Sequence, residues 1–107
     1  MQKRYRRSRA SYPQGVIGVY DSGPNHGDDR YTVVYEPYTF WGETWFGYVA
    51  MSADPFHPQG FGQHGESERR LTHETCGRTI SFEDLSDDCQ RLVMHDLSES
   101  ENVPIAD

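Results

Sequence analysis

The sequence predicts an α+β domain: an antiparallel sheet of three to four strands with one C-terminal helix packed on one face. Three observations support this fold class. Residues 15–51 hold β-branched and aromatic segments separated by turns, residues 86–97 have the apolar spacing of a helix, and seven Tyr, five Phe and two Trp enrich the chain in large rings. Because each ring can bury roughly 150–250 Å², they suffice for one core in 107 residues.

Three segments have the composition of strands. We expect strands at residues 15–20, 30–36 and 44–51, with a polar turn at 21–28 between the first two. Both faces of the third segment are apolar, which indicates a strand buried on both sides. Residues 69–75 are a weaker candidate for a fourth strand, because that segment is polar.

The C-terminal part of the domain has the signals of a capped helix. Ser81 is expected to cap a short helical turn, and Ser86 a longer helix whose first turn carries two aspartates. The apolar stripe of that helix comprises Cys89, Leu92, Val93 and Leu97. We therefore expect a basic flexible arm at 1–13, a single domain at 14–97 and a loose acidic tail at 98–107.

Charge is unevenly distributed along the chain. Residues 1–10 carry five basic side chains, whereas the other 97 residues carry five Arg against seventeen Asp and Glu. A negatively charged body favours a partner with a basic surface. Weak, salt-sensitive contact with nucleic acid is an alternative role for the arm, although the acidic body would oppose it. The arginines concerned are Arg4, Arg6, Arg7 and Arg9.

The composition also indicates a compartment. No apolar run approaches the ~18–20 residues that span a bilayer, and the first thirty residues contain no apolar signal segment. With Cys76 and Cys89 as its two cysteines, the chain is expected to keep both thiols reduced. We therefore expect a protein of the cytoplasm that does not enter a membrane.

Three motifs resemble a group of small, uncharacterised proteins carried by phages, prophages and plasmids. They are Asp29-Arg-Tyr-Thr-Val-Val34, Met51-Ser52 followed by Pro58-Gln59-Gly60, and Ile80-Ser-Phe-Glu-Asp-Leu85. The likeness covers about residues 28–97 and leaves out the arm and the tail. It implies a setting in which short accessory proteins often block host enzymes, including defence nucleases.

The segment 54–65 is the strongest candidate for a binding loop. It holds two Pro, three Gly, two Phe and two His, a composition that excludes a helix or a central strand. Together with the aromatic turn at 37–43 it offers rings of the kind found at interfaces, Trp41 and Phe61 being the expected anchors. The candidate binding residues are Tyr38, Phe40, Trp41, Glu43, Asp54, Phe56, His57, Phe61, His64, Glu66 and Glu68.

A catalytic or metal site is the alternative for the histidine-rich part of the chain. Ligands of the type that zinc prefers are present at His57, His64, His73 and Cys76, but no second closely spaced pair accompanies them. Thiol chemistry would need a histidine beside Cys76, or His95 beside Cys89, and Cys89 is more simply a core residue. None of the common nucleophile, metalloprotease or phosphate-loop motifs occurs.

The sequence thus favours a non-catalytic binding protein that needs no cofactor. The expected role is inhibition of a host nuclease or of a nucleic-acid-binding defence complex, in the manner of an anti-CRISPR protein. The alternative is a small metal-dependent or thiol hydrolase centred on the histidine-rich loop. Neither the identity of the partner nor the oligomeric state follows from the residues.

Overall fold

The computed structural model describes residues 12–24, 30–54, 56 and 61–102. The strands are β1 (Val16–Asp21), β2 (Tyr31–Tyr35), β3 (Tyr38–Phe40), β4 (Glu43–Met51), β5 (Gly62–Ser67) and β6 (Arg78–Thr79). The helices are α1 (His73–Cys76) and α2 (Asp87–Asn102), with a 3-10 turn at Phe82–Asp84 before α2. Within the described part of the chain, no helix is long and apolar enough to cross a bilayer.

The strands form one antiparallel sheet, and α2 is a long C-terminal helix. Together they confirm the predicted α+β class. The order is β3-β4-β2-β1-β6, with β5 paired to the other side of β4. Six strands exceed the three to four predicted. The sequence did not indicate the extra ones, because β3 and β6 have only three and two residues and β5 is polar throughout.

The candidate fourth strand at 69–75 was wrong. The strand that pairs with β4 lies earlier, at Gly62–Ser67, within and just after the segment predicted to be a loop. Residues 73–76 instead form α1, where the Thr72 hydroxyl accepts a hydrogen bond from the Glu74 amide. A polar edge strand lacks the apolar alternation by which strands are recognised.

Strands β2, β3 and β4 together build one long hairpin. The inner part pairs β2 with residues 48–51, and the outer part pairs β3 with residues 43–45. The register shifts by one residue between the two parts, at Glu36 and Pro37, a position at which proline is tolerated. The hairpin closes through Trp41 and Gly42, whose φ angles are 56° and 76°. Positive φ at both positions is what a two-residue type I′ turn requires.

The main core lies between the sheet and α2. Two members of the predicted helical stripe, Cys89 and Val93, are fully buried, and Leu92 and Leu97 pack at its edge. An irregularity between Val16 and Gly18 shifts the register of β1. The buried members of this cluster are Val16, Val19, Tyr31, Val33, Val49, Met51, Ile80, Phe82, Leu85, Cys89 and Val93.

The opposite face of the sheet carries a second, smaller core. Tyr20, Val34 and Cys76 are buried there, and partly buried Ile17, Phe46, Tyr48 and Leu71 surround them. Residues 46 and 48 of β4 therefore face one core while residues 49 and 51 face the other. This confirms the prediction that the third predicted strand is apolar on both faces.

The caps of the C-terminal elements also agree with the sequence. The Ser86 hydroxyl accepts a hydrogen bond from the Cys89 amide at 3.3 Å, and the Ser81 amide donates to the Asp84 carboxylate at 3.2 Å. Helix α2 continues to Asn102 and so includes part of the segment predicted as a loose tail. Residues 1–11 of the basic arm, which include Arg4, Arg6, Arg7 and Arg9, lie outside the described residues, as do residues 103–107.

Candidate functional site

The closed end of the long hairpin exposes two aromatic rings, which we call the aromatic tip: Phe40 and Trp41. Trp41 is 87% exposed and Phe40 is 59% exposed. Their ring centres lie 5.9 Å apart in an edge-to-face arrangement. The sequence predicts Trp41 as a binding anchor, and the structure places its ring in solvent. Glu43, the register partner of Phe40, is exposed beside them.

Two further predicted binding rings, Phe56 and Phe61, differ in their exposure. Phe56 is 87% exposed, in a turn in which the Asp54 carboxylate accepts a hydrogen bond from the Phe56 amide at 2.9 Å. Phe61, expected to be an anchor, instead packs partly buried against the main core. Its side chain is therefore used for folding, and Trp41 is the more exposed of the two expected anchors. His57 lies outside the described residues.

A shallow depression on the helix-bearing face of the sheet adjoins the aromatic tip. Two cavities of about 460 and 440 Å³ adjoin each other, with Tyr35 and Gly47 lining both, and we call the pair the tyrosine trough. Three parts of the fold contribute its polar side chains: β2 with β3 and the residues between them, β5, and α2. These side chains are Tyr35, Glu36, Tyr38, His64, Glu66 and Asp96.

Hydrogen bonds fix the walls of the trough. The Tyr35 hydroxyl donates to Oδ2 of Asp96 at 2.7 Å, and Nε2 of His64 lies 2.8 Å from the same oxygen. These two bonds join β2, β5 and α2 through one carboxylate. On the other side of Gly47, the Tyr38 hydroxyl donates to the Glu66 carboxylate. The tyrosine rings are therefore held in place by their hydroxyl groups.

Both tyrosines remain protonated donors. Burial raises the pKa of Tyr35 far above its usual value, and the hydrogen bond to Asp96 raises it further. The hydrogen bond to Glu66 raises the pKa of Tyr38. Since neither hydroxyl ionises near neutral pH, the negative charge of the trough resides on its carboxylates.

The periodicities of strand and helix place the side chains of the trough on one face of the sheet. Alternation along β5 puts His64 opposite Val49 and Glu66 opposite Gly47, so both side chains stand on the face that carries α2. Gly47 leaves the floor open, since a Cβ built there would meet only Tyr35 Cδ2 at 4.0 Å. Asp96 lies three residues after Val93, which brings its carboxylate to the sheet side of the helix.

Three of the predicted binding residues thus meet in the trough, namely Tyr38, His64 and Glu66. Glu68 is separate from it, in the exposed turn that follows β5. The sequence reasoning missed Tyr35, Gly47 and Asp96. Asp96 had a detectable signal, an acid on the sheet-facing side of an apolar stripe, whereas Tyr35 looked like an ordinary strand residue.

The three proposed metal ligands that the structure describes are not brought together. His64 binds Asp96 on the helix-bearing face, Cys76 is buried in the core on the opposite face, and His73 is exposed at the start of α1. Over residues 12–24, 30–54, 56 and 61–102, no group of three or more His, Cys, Asp or Glu side chains could hold a metal ion.

The two thiols are placed as core residues. Sγ of Cys89 is fully buried and donates to the Ser52 carbonyl at 3.4 Å, and burial raises the pKa of this thiol. Sγ of Cys76 lies 3.6 Å from the Thr75 hydroxyl, and His95 faces Glu99 at 3.6 Å. Among the described side chains, neither cysteine contacts an imidazole that could act as the base for a thiol nucleophile.

Comparisons with protein-family models, curated proteins and solved structures found no match for the chain. The resemblance to accessory proteins of mobile elements therefore stays a prediction.

Proposed function

We propose that this is a non-catalytic binding protein whose aromatic tip contacts a partner protein with a basic surface. In the setting that the sequence resemblance implies, the partner is a bacterial nuclease or nucleic-acid-binding defence complex, and binding inhibits it. The observation that carries the proposal is Trp41: a fully presented ring at a left-handed backbone position.

Folding alone does not explain a tryptophan at this position. A left-handed conformation costs a residue with a Cβ roughly 1–2 kcal/mol, and asparagine or glycine is the usual choice in such turns. Trp41 also contributes little to a core, since 87% of it is exposed. A strained, exposed ring is retained where it has a use, and Trp is enriched among the residues that dominate binding energy.

The charge of the domain selects the type of partner. The described ranges contain 14 Asp and Glu but only five Arg. Arg30 and Arg78 pair with Asp21, and Arg91 pairs with Asp88. Most of the exposed charge is therefore negative, including Glu43 beside the tip. A basic partner would be steered toward this surface, and the encounter would weaken as salt rises.

The hydrolase alternative receives less support from the geometry. Its metal-binding version needs ligands that lie on different faces of the sheet, and its thiol version needs a histidine that neither described cysteine contacts. An open depression walled by tyrosines suits recognition better than it suits a reaction, because none of the described residues that border it is a poised nucleophile.

The test is affinity capture with quantitative mass spectrometry, comparing the protein with Trp41→Asn. Asparagine suits the turn, so the variant removes the ring without disturbing the hairpin. Met94→Ala is the matched control, since Met94 is a half-exposed apolar side chain on α2, away from the tip. We expect one nucleic-acid-binding partner to be retained by the control and reduced about tenfold or more by Trp41→Asn.

Salt provides the second arm of this test. The same partner should be released progressively between about 50 and 500 mM NaCl, a range in which the Debye length shrinks several-fold. Equal capture by the protein and by Trp41→Asn, or a partner that is retained unchanged at the higher salt concentration, would contradict the proposal.

A further inference from the structure

We propose that the tyrosine trough binds the guanidinium group of an arginine side chain presented by the partner. This deepens the proposed function by naming the group recognised beside the aromatic tip, and it rests on that function only for the identity of the protein that carries the arginine. Binding of the guanidinium itself is a property of this domain alone.

The lining of the trough has the chemistry of a cation site. Its acidic side chains are Glu36, Glu66 and Asp96; none of the described residues along its walls is Lys or Arg, and its one imidazole, that of His64, is bound to Asp96. The rings of Tyr35 and Tyr38 form the remaining walls. Aromatic faces attract cations, and the attraction strengthens where water is partly displaced. The three carboxylates would repel a phosphate or another anion.

The carboxylates keep acceptor capacity for a ligand. Both hydrogen bonds to Asp96 fall on Oδ2, so Oδ1 has no partner among the described residues. Glu66 accepts from Tyr38 through Oε2, which likewise leaves its second oxygen without a described donor. Two preformed acceptors on opposite sides of Gly47 match a group that donates in several directions.

Arginine satisfies these features better than lysine or a metal ion. A guanidinium is planar, stacks on aromatic rings and donates up to five hydrogen bonds in a fixed fork, whereas an ammonium is a compact, strongly hydrated charge. A metal ion would need clustered ligands, which the described side chains do not provide. The Gly47 floor gives the flat group room to lie against the sheet.

The position of the trough connects it to the aromatic tip. Tyr38 lies in the wall of the trough, and Phe40 follows two residues later on the same face of β3. A partner seated on Trp41 therefore has the trough beside it, along the same side of the hairpin. A basic side chain of that partner is the natural occupant.

The experiment uses the isolated protein and a capped tripeptide, acetyl-Gly-Arg-Gly-amide, followed by ¹H–¹⁵N NMR at constant ionic strength. Peptides with citrulline or lysine in the central position are the matched probes, because citrulline keeps the shape of arginine without its charge. We expect saturable shifts centred on the amides of Gly47, Gly65 and Glu66, with affinity in the millimolar range, about −4 kcal/mol. Lysine should bind more weakly, and citrulline should not bind.

Two variants locate the site. Gly47→Val fills the floor with a residue that strands favour, and its Cβ meets no close neighbour; the fold should persist while arginine binding is lost. Glu66→Gln keeps an acceptor for Tyr38 but removes a charge, and should weaken binding about threefold to tenfold. Glu83→Gln, which neutralises an exposed acid on the 3-10 turn, should change nothing.

Equal shifts with citrulline, unchanged binding by Gly47→Val, or no shifts with arginine would overturn the assignment. Because this titration needs no partner, its outcome does not depend on that of the capture experiment. Loss of the partner with Trp41→Asn but no arginine binding would leave the tip as the interface and exclude the trough. The reverse pattern would exclude the tip.

Discussion

The two ends of the long hairpin differ completely in how they use apolar side chains. At the inner end, Val33, Val49 and Met51 have no exposed surface and lie beneath α2. At the outer end, Phe40 and Trp41 extend into solvent, although they belong to the same hairpin. One hairpin thus joins a stable core to a presented surface, so that stability and binding can be changed separately.

The tyrosine trough lies between these two ends. There the sheet is no longer covered by the apolar part of α2, and Asp96 takes the place of a core residue on the helix. The polar side chains of β5 reach the same face. The transition from core to surface therefore produces a depression whose walls are fixed by hydrogen bonds.

The largest contrast is expected from truncating one apolar side chain at each end. Met51→Ala should lower the free energy of unfolding by about 2–5 kcal/mol, because Met51 is fully buried and its truncation leaves a cavity in the core. Phe40→Ala should change it by less than about 0.5 kcal/mol, apart from the lost ring contact with Trp41. Urea denaturation of both variants measures this. Equal destabilisation would show that the tip is part of the core.

A second prediction concerns the buried charge at the other edge of the sheet. The Asp21 carboxylate is 4% exposed and pairs with Arg30 at 3.0 Å and Arg78 at 3.3 Å. It also accepts a hydrogen bond from the Gly23 amide at 2.8 Å. Asp21→Asn should destabilise the protein by about 2–3 kcal/mol, since Arg30 loses its charged partner inside the fold. Glu83→Gln, which removes an exposed acid, is the control.

The effect of Asp21→Asn should depend on pH. The hydrogen bond from Arg30 holds the pKa of Asp21 below its usual value of 3.8. A group with a lowered pKa stabilises the fold fully above its unfolded-state pKa and loses that contribution as pH falls through its folded-state pKa. The difference in stability between the protein and the variant should therefore be constant near neutral pH and shrink below about pH 4. A difference that grows on acidification would contradict this account.

How far the sequence predicts this molecule depends on the kind of signal. The three apolar strands, the stripe with Cys89 and Val93, and the cap at Ser86 were all readable, because burial imposes periodicity and helix ends require acceptors. Strand β5 was not, because its residues are polar and its partner is distant in sequence. The trough forms only when β5 pairs with β4. Some of its residues could therefore be predicted one by one, but their meeting in one site could not.

A third prediction tests whether Asp96 holds the trough together. Tyr35→Phe removes one hydroxyl, leaves the ring, and deprives Asp96 of the shorter of its two hydrogen bonds. We expect a loss of about 1 kcal/mol, which is below the usual value for a hydrogen bond to a charged group because water can partly replace the lost donor. Thermal unfolding should show it. Tyr48→Phe, whose hydroxyl has no described partner, is the matched control and should be close to neutral.

The smallest expected effect has the opposite sign. Trp41→Asn relieves a left-handed tryptophan, which is worth about 1 kcal/mol, and gives up part of that gain with the edge-to-face contact to Phe40. The free energy of unfolding of the variant should therefore be higher by about 0.5 kcal/mol. For a domain of this size, this corresponds to a rise in Tm of roughly 2–4 °C. Such a gain, combined with loss of the partner, would mean that the ring costs stability and is retained for contact. A destabilisation above about 1 kcal/mol would mean instead that Trp41 supports the hairpin, and its exposure would then no longer argue for an interface.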